Sequence, residues 1–200
     1  MRSTQLTTRK YISEFGLNMV NGMRLLLQQS HLDRVSDFDF EPHIYMVCRR
    51  PRISIDPKSC VFTKTEFHAV FKKQEKNNFI DIPVVTRNLL ETKDVTVTSE
   101  FPYTEYQLIT FEGEIVSEGK SALLLASLGS QYWGNMDLEV LYIGQSYGKD
   151  GSRNAAERLT SHSTLQGIYA EAIQKSPDQE IWLIVWEFTP LLLASFDGRS

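Results

Sequence analysis

The sequence predicts an α+β fold, in which a β-rich N-terminal module precedes a small C-terminal α/β sandwich. Three observations support this prediction. Residues 79–117 are rich in threonine, valine, isoleucine and aromatic residues, which favour strands. Two apolar runs, 122–128 and 138–145, flank a polar loop. Two helical patterns then precede the apolar run 180–188, which gives the second unit the order β-β-α-α-β.

In the first part of the chain, residues 10–30 have apolar side chains near the helical period, which predicts a helix in spite of two glycines. Residues 43–47 alternate weakly, as in a strand. The segment Thr65–Lys73 predicts a helical turn capped by Thr65, with three apolar side chains on one face: Phe67, Val70 and Phe71.

The pattern shortens to strand-like segments from residue 78 onwards. Residues 79–85 contain Pro83 and are predicted to form an edge strand, because proline cannot donate to a neighbouring strand. Residues 94–100 and 105–111 are further strand candidates. Residues 112–114 predict a hairpin turn into the next strand. We therefore expect a β-rich module over residues 1–118.

The second predicted domain, residues 119–200, begins with the two strands 122–128 and 138–145. Asn154 with Glu157 forms a capping box that predicts the start of a helix. A second helix is predicted to start at residue 163 or 164 and to end at Lys175, before Ser176 and Pro177. The run 180–188 is apolar on both faces, which is typical of a central strand and makes Trp182 and Trp186 core candidates.

The overall composition is that of an ordinary globular protein, with 42% hydrophobic and 23% charged residues. Apolar runs are too short to span a bilayer, and Met1 is followed by polar residues, so we expect a cytoplasmic protein without a membrane partner. Cys48 and Cys60 do not suggest a disulfide scaffold. With His43 and His68 they could bind zinc, but their spacing matches no common zinc module.

Charge is unevenly distributed along the chain. Residues 121–200 contain 5 basic and 9 acidic residues, whereas residues 49–76 contain 8 basic and 3 acidic ones. Because phosphate neutralisation supplies most of the affinity for nucleic acid, the basic segment is the predicted nucleic-acid surface. An ordinary solvated face is the alternative interpretation. The candidate binding residues are Arg49, Arg50, Arg52, Lys72 and Lys73.

The candidate site lies on the second apolar strand and the helix after it. Tyr142, Gly144 and Ser146 point to one side of the strand, and Gly144 allows close approach by a backbone or a helix. Arg158 and His162 are one helical turn apart and share a face. Phosphodiester hydrolysis needs an activated water and cationic charge at the phosphate, for which tyrosine or histidine and arginine are suitable groups.

The segment Tyr142-Ile143-Gly144, followed by Ser146, Arg158 and His162, resembles the second half of the GIY-YIG nuclease signature. The resemblance covers about 50 of the 200 residues. It implies a small GIY-YIG-like α/β sandwich, catalytic roles for Tyr142, Arg158 and His162, and a Mg²⁺ cofactor. It further implies a Gly-Ile-Tyr-like motif on the preceding strand, which residues 122–128 do not contain.

The resemblance also implies a metal-binding glutamate on a helix beyond the third strand, for which Glu187, on the strand itself, is a poor substitute. We therefore expect either a metal-dependent endonuclease that cleaves duplex DNA or an inactive fragment of one that lacks this glutamate. The alternative is a non-catalytic module on a degenerate nuclease fold, which binds nucleic acid or protein. The literal Gly167-Ile168-Tyr169 follows the second motif and is interpreted as coincidental.

Overall fold

A computed structural model describes residues 15–37, 42–146, 159 and 163–195. Within these ranges most of the chain is extended. The strands are β1 (Phe15–Leu27), β2 (Ile44–Pro51), β3 (Ile53–Phe62), β4 (Glu66–Glu75), β5 (Asn78–Arg87), β6 (Val95–Thr98), β7 (Glu105–Thr110), β8 (Ile115–Lys120), β9 (Glu139–Gln145) and β10 (Gln179–Ser195). The helices are α1 (Ser121–Ser127) and α2 (Ser163–Lys175), and 3₁₀ segments cover Gln29–Asp37 and Ser130–Asn135.

The described strands form antiparallel sheets, so the broad α+β prediction is confirmed, with β structure dominant. A four-stranded sheet has the order β1-β10-β2-β9. Two three-stranded sheets have the orders β3-β4-β5 and β6-β7-β8. The four-stranded sheet takes β1 and β2 from one side of the predicted domain division at residues 118–119, and β9 and β10 from the other.

Strands β2 and β9 pair although residues 52–138 separate them in sequence. At the end of this pairing, Arg49 lies opposite Glu139, and its Nε donates to a carboxylate oxygen at 2.8 Å. The two strands therefore form the arms of a β-hairpin, and residues 52–138 are inserted at its tip. The insertion contains both three-stranded sheets and α1.

Two hydrophobic cores meet at β10. The first core lies between the four-stranded sheet and α2, and it contains Leu183 together with Leu165 of the helix. The second core lies within the insertion and contains Phe71 and Leu125. Trp182 belongs to the second core, because successive side chains of a strand point to opposite faces. One strand therefore joins both cores.

Three secondary-structure predictions were wrong. Residues 10–30 were predicted as a helix, but Phe15–Leu27 form β1, which pairs with β10 along its whole length. Thr65–Lys73 were predicted as a helical turn, but β4 buries every second residue: Phe67, Ala69 and Phe71. Residues 122–128 were predicted as a strand but lie largely in α1. In the first two cases, sheet pairing overrides a weak local pattern.

The other predicted elements within the described ranges are confirmed. β2, β6, β7 and β9 occur where strands were predicted, and the hairpin turn at residues 112–114 leads into β8. β5 lies at a sheet edge, and β10 lies between two neighbours, as predicted. α2 covers the predicted second helix. In the part of the chain that is described, no helix is long and apolar enough to cross a membrane.

Candidate functional site

Two tyrosines from neighbouring strands lie side by side on the α2 face of the four-stranded sheet. In the pairing of β2 with β9, Val47 is opposite Tyr142, and Tyr45 is opposite Gly144. The two tyrosine rings have centroids 6.0 Å apart and planes inclined at 34°. Tyr45 is buried and Tyr142 half-buried against the first core. The sheet thus presents two adjacent phenols.

Gly144 makes room for Tyr45. A Cβ atom added at Gly144 would lie 2.2 Å from Cζ, 2.3 Å from Oη and 2.6 Å from Cε2 of Tyr45. These separations are far below van der Waals contact, so a residue with a side chain cannot occupy this position unless the ring moves. As predicted, another group of the protein approaches Gly144 closely. However, the approaching group is a side chain of the neighbouring strand rather than a backbone or a helix.

The next row of the sheet carries polar side chains. The backbone N–H of Ser146 donates to the carbonyl of His43 at 2.7 Å, and the N–H of His43 donates to the carbonyl of Trp186 at 2.9 Å. These bonds continue the registers of β9, β2 and β10, so Ser146, His43 and Glu187 are cross-strand neighbours. Glu187 follows Val185 by two residues and therefore faces the same side as Tyr45. A hydroxyl, an imidazole and a carboxylate thus lie in the row next to that of Tyr45 and Gly144, two rows from Tyr142.

The helix residues of the predicted site, Arg158 and His162, lie outside the described residues, as does the predicted capping box. Leu159 is described, and it is fully buried in the first core, to which Tyr45 also belongs. Tyr142, Gly144 and Ser146 share a face as predicted.

The predicted nucleic-acid residues do not form one open basic surface. Arg50 is 2% exposed: its guanidinium lies 4.2 Å over the Trp182 ring and bonds Glu180 at 3.0 Å. Burial lowers the pKa of Arg50. Arg49 makes two hydrogen bonds to Glu139, which raise the pKa of Arg49 and lower that of Glu139.

The two lysines of the predicted surface are paired, and Arg52 is partly buried. Lys72 lies 3.8 Å from Asp81, and Lys73 lies 2.8 Å from Glu75. Glu75 is on the same strand as Lys73, but Asp81, Glu139 and Glu180 come from other strands and offset part of the local positive charge counted in the sequence.

The four possible zinc ligands are not brought together. Cys48 is buried in β2, and its pKa is raised by burial. Cys60 lies on β3 of a different sheet, and burial raises its pKa to about 11. His68 bonds Glu66 on the surface of β4. Among the described residues, no group of three histidine, cysteine, aspartate or glutamate side chains could hold a metal ion.

Sequence reasoning missed Tyr45 and considered His43 only as a possible zinc ligand. The signal was present as His43-Ile44-Tyr45, on a segment that was itself predicted as a strand. The partner of such a motif is expected on the strand just before it in sequence, whereas the insertion places the partner strand of Tyr142 much earlier in the chain. Comparisons with protein-family models, with curated proteins and with solved structures found no match.

Proposed function

We propose that the chain is a metal-dependent endonuclease of the GIY-YIG type that hydrolyses phosphodiester bonds of duplex DNA. The observation that carries the proposal is the pairing of β2 with β9. This pairing brings Tyr45 and Tyr142 to a centroid distance of 6.0 Å, with Gly144 beneath the Tyr45 ring. The same three residues are the ones that the GIY-YIG resemblance requires on two strands.

The position of His43-Ile44-Tyr45 supports the resemblance further. The family pattern expects a Gly-Ile-Tyr-like motif on the strand that precedes the Tyr142 strand. In a hairpin interrupted by residues 52–138, β2 is that strand. His43 departs from the pattern at its first position, while Ile44 and Tyr45 agree with it.

The chemistry assigns a task to each group. Arg158 would bind the scissile phosphate, because a guanidinium forms paired hydrogen bonds with phosphate oxygens. Tyr142 or His162 would orient the attacking water and accept its proton. A phenol ordinarily ionises near pH ~10, so a nearby cation is needed for it to act as a base at neutral pH. Tyr45, buried beside Tyr142, would hold the second phenol in position.

Glu187 is the candidate ligand for the implied Mg²⁺. Mg²⁺ prefers oxygen ligands and is commonly held by one or two carboxylates together with water and substrate phosphate. A cluster of three protein ligands is therefore unnecessary, and a carboxylate in the row beside Tyr45 fits the requirement. When bound, the ion would stabilise negative charge on the phosphate. The glutamate then lies on a strand rather than on a later helix.

The test is nicking of supercoiled plasmid DNA in the presence of Mg²⁺. Tyr142→Phe and Arg158→Ala should each reduce the rate by about 10²-fold or more, which is typical for the loss of a group acting at the reacting centre. Tyr103→Phe is the matched control, because Tyr103 is an exposed tyrosine in the turn between β6 and β7. This variant should cleave the plasmid at the wild-type rate. Cleavage by Tyr142→Phe at the wild-type rate would contradict the proposal.

A non-catalytic binding module is the second candidate. It is favoured by the burial of Arg50 and by the acidic partners of Arg49, Lys72 and Lys73, which leave little free positive charge for DNA. In that case the wild-type chain should produce no nicks with Mg²⁺, and EDTA should change nothing. Metal-dependent nicking that the Arg158→Ala variant lacks would exclude this alternative.

A further inference from the structure

The β7–β8 hairpin exposes an apolar surface on the insertion. Phe111 at its tip is 91% exposed, and Ile115 and Val116, at the start of β8, are 53% and 46% exposed. Single exposed apolar residues are common on protein surfaces. Here three of them lie within residues 111–116 of one short hairpin, and such a concentration of exposed apolar side chains more often marks an interaction site.

The hairpin tip is held by hydrogen bonds, so the exposure of Phe111 is a fixed feature of the turn. The N–H of Gly113 donates to the carbonyl of Thr110 at 2.9 Å, and the N–H of Thr110 donates to the carbonyl of Glu114 at 2.8 Å. The hydroxyl of Thr110 accepts from the N–H of Glu114 at 3.1 Å. Gly113 has φ 87°, a conformation that glycine adopts without strain. A preorganised tip lowers the entropic cost of binding.

Acidic side chains surround the apolar patch. Glu112, Glu114 and Glu118 are all exposed. Glu118 accepts a hydrogen bond from the side-chain amide of Gln107 at 3.0 Å. Over the ranges that are described, neither Glu112 nor Glu114 has a cationic partner, whereas Lys120 pairs with Glu105. The free charge of the tip is therefore negative, which repels nucleic acid and attracts a basic partner.

The adjoining strand is open to pairing. β8 is at the edge of the sheet β6-β7-β8, and residues on both of its faces are exposed. An edge strand of this kind can accept a further strand through its free backbone groups, and alternate side chains then determine specificity.

We propose that the β7–β8 hairpin is a docking site for an extended, basic segment of a partner protein, which adds as a strand beside β8. Apolar residues of the segment cover Phe111, Ile115 and Val116, and its lysines or arginines face the glutamates of the tip. The site is independent of the nuclease proposal, since none of its residues belongs to the four-stranded sheet. The insertion then serves to recruit a protein.

The test measures binding of a fluorescently labelled short peptide of alternating lysine and valine by anisotropy. The wild-type chain should bind it saturably, and the affinity should fall as salt increases. Phe111→Ser should weaken binding by about tenfold, because a central aromatic residue is a typical hot spot. The double variant E112Q/E114Q should weaken binding by about tenfold and remove most of the salt dependence.

Two controls make the result decisive. Phe79→Ser changes another exposed phenylalanine, on the edge strand β5, and should bind within about twofold of the wild type. A peptide of alternating glutamate and valine should not bind. Circular dichroism should be unchanged in Phe111→Ser, because this side chain contributes little to either core. Absence of saturable binding, or full affinity in Phe111→Ser or in E112Q/E114Q, would overturn the proposal.

Discussion

At the scale of the single residue, Gly144 determines how closely the Tyr45 ring packs against β9, beside Tyr142. Tyr45 is buried and cannot swing away without disturbing the first core. We therefore expect Gly144→Ala to lower the free energy of unfolding by about 1–3 kcal/mol, the usual cost of forcing extra volume into a packed site. Urea denaturation measures this loss, and the DNA cleavage that we propose should decline as Tyr45 is displaced.

Two other glycine-to-alanine variants test whether the loss of stability in Gly144→Ala comes from the clash with Tyr45 rather than from any glycine-to-alanine change. Gly134→Ala introduces a Cβ with nothing within 4 Å and should change stability little. Gly167→Ala does the same on the exposed face of α2, where alanine should stabilise the helix by about 1 kcal/mol. If Gly144→Ala unfolds at the same urea concentration as the wild type, Tyr45 is not confined as described.

Arg50 has a structural role at the residue scale, because it is surrounded by Glu180, Trp182 and Met136. The side chain of Glu180 is only 9% exposed. Arg50→Met would leave that carboxylate without a cationic partner, with only the Gln28 amide, among the described residues, donating to it at 3.4 Å, and should lower the free energy of unfolding by about 3–5 kcal/mol. The measurement is chemical denaturation at neutral pH.

Two comparisons identify the cause of that loss. Arg49→Ala removes a surface ion pair and should lower stability by less than about 1 kcal/mol. The double variant R50M/E180L removes both buried charges and should recover much of the loss. A cost in Arg50→Met no larger than that in Arg49→Ala would contradict the buried pair.

At the scale of the element, α1 offers a direct test of helix against strand. Leu123 is 41% exposed and Leu125 is fully buried in the second core. Residues two apart lie on different sides of a helix but on the same side of a strand. Leu125→Ala should therefore lower the free energy of unfolding by about 2–5 kcal/mol and Leu123→Ala by much less. Equal losses in the two variants would support a strand.

Elements were predictable where local pattern and tertiary environment agree. β10 is apolar on both faces because each face is buried in a different core, and this is visible in its sequence. β1 was missed because Phe15, Met19, Met23 and Leu26 recur near the helical period. Its actual alternation places Leu25 and Leu27 inwards and Leu26 outwards. α1 was missed because a short apolar run fits either structure.

The candidate site was predictable only where its residues are close in sequence. Tyr142 and Gly144 lie on one strand, so a period of two was enough to place them on one face. Tyr45 reaches the site through a non-local pairing between β2 and β9, and no local pattern identifies which strand is the partner. The insertion at the hairpin tip removes the proximity in sequence that usually makes such a pair recognisable.

At the scale of the whole molecule, the insertion and the four-stranded sheet share β10. Trp182 packs in the second core, while its neighbours Ile181 and Leu183 pack in the first. The insertion is also tied to the sheet by two bonds to Asp178: the N–H of Arg52 donates to its carbonyl at 2.9 Å, and the N–H of Lys76 donates to its carboxylate at 2.7 Å. Ordering one core therefore constrains the other.

This coupling predicts one cooperative unfolding transition for the whole chain. Tryptophan fluorescence and far-ultraviolet circular dichroism should give the same urea midpoint. Phe71→Ala in the second core and Leu183→Ala in the first should each shift that common midpoint for both signals, since each removes a fully buried side chain. In a chain of two independent domains, each variant would shift only the transition of its own domain. Separate midpoints for the two signals in either variant would show that Trp182 does not couple the cores.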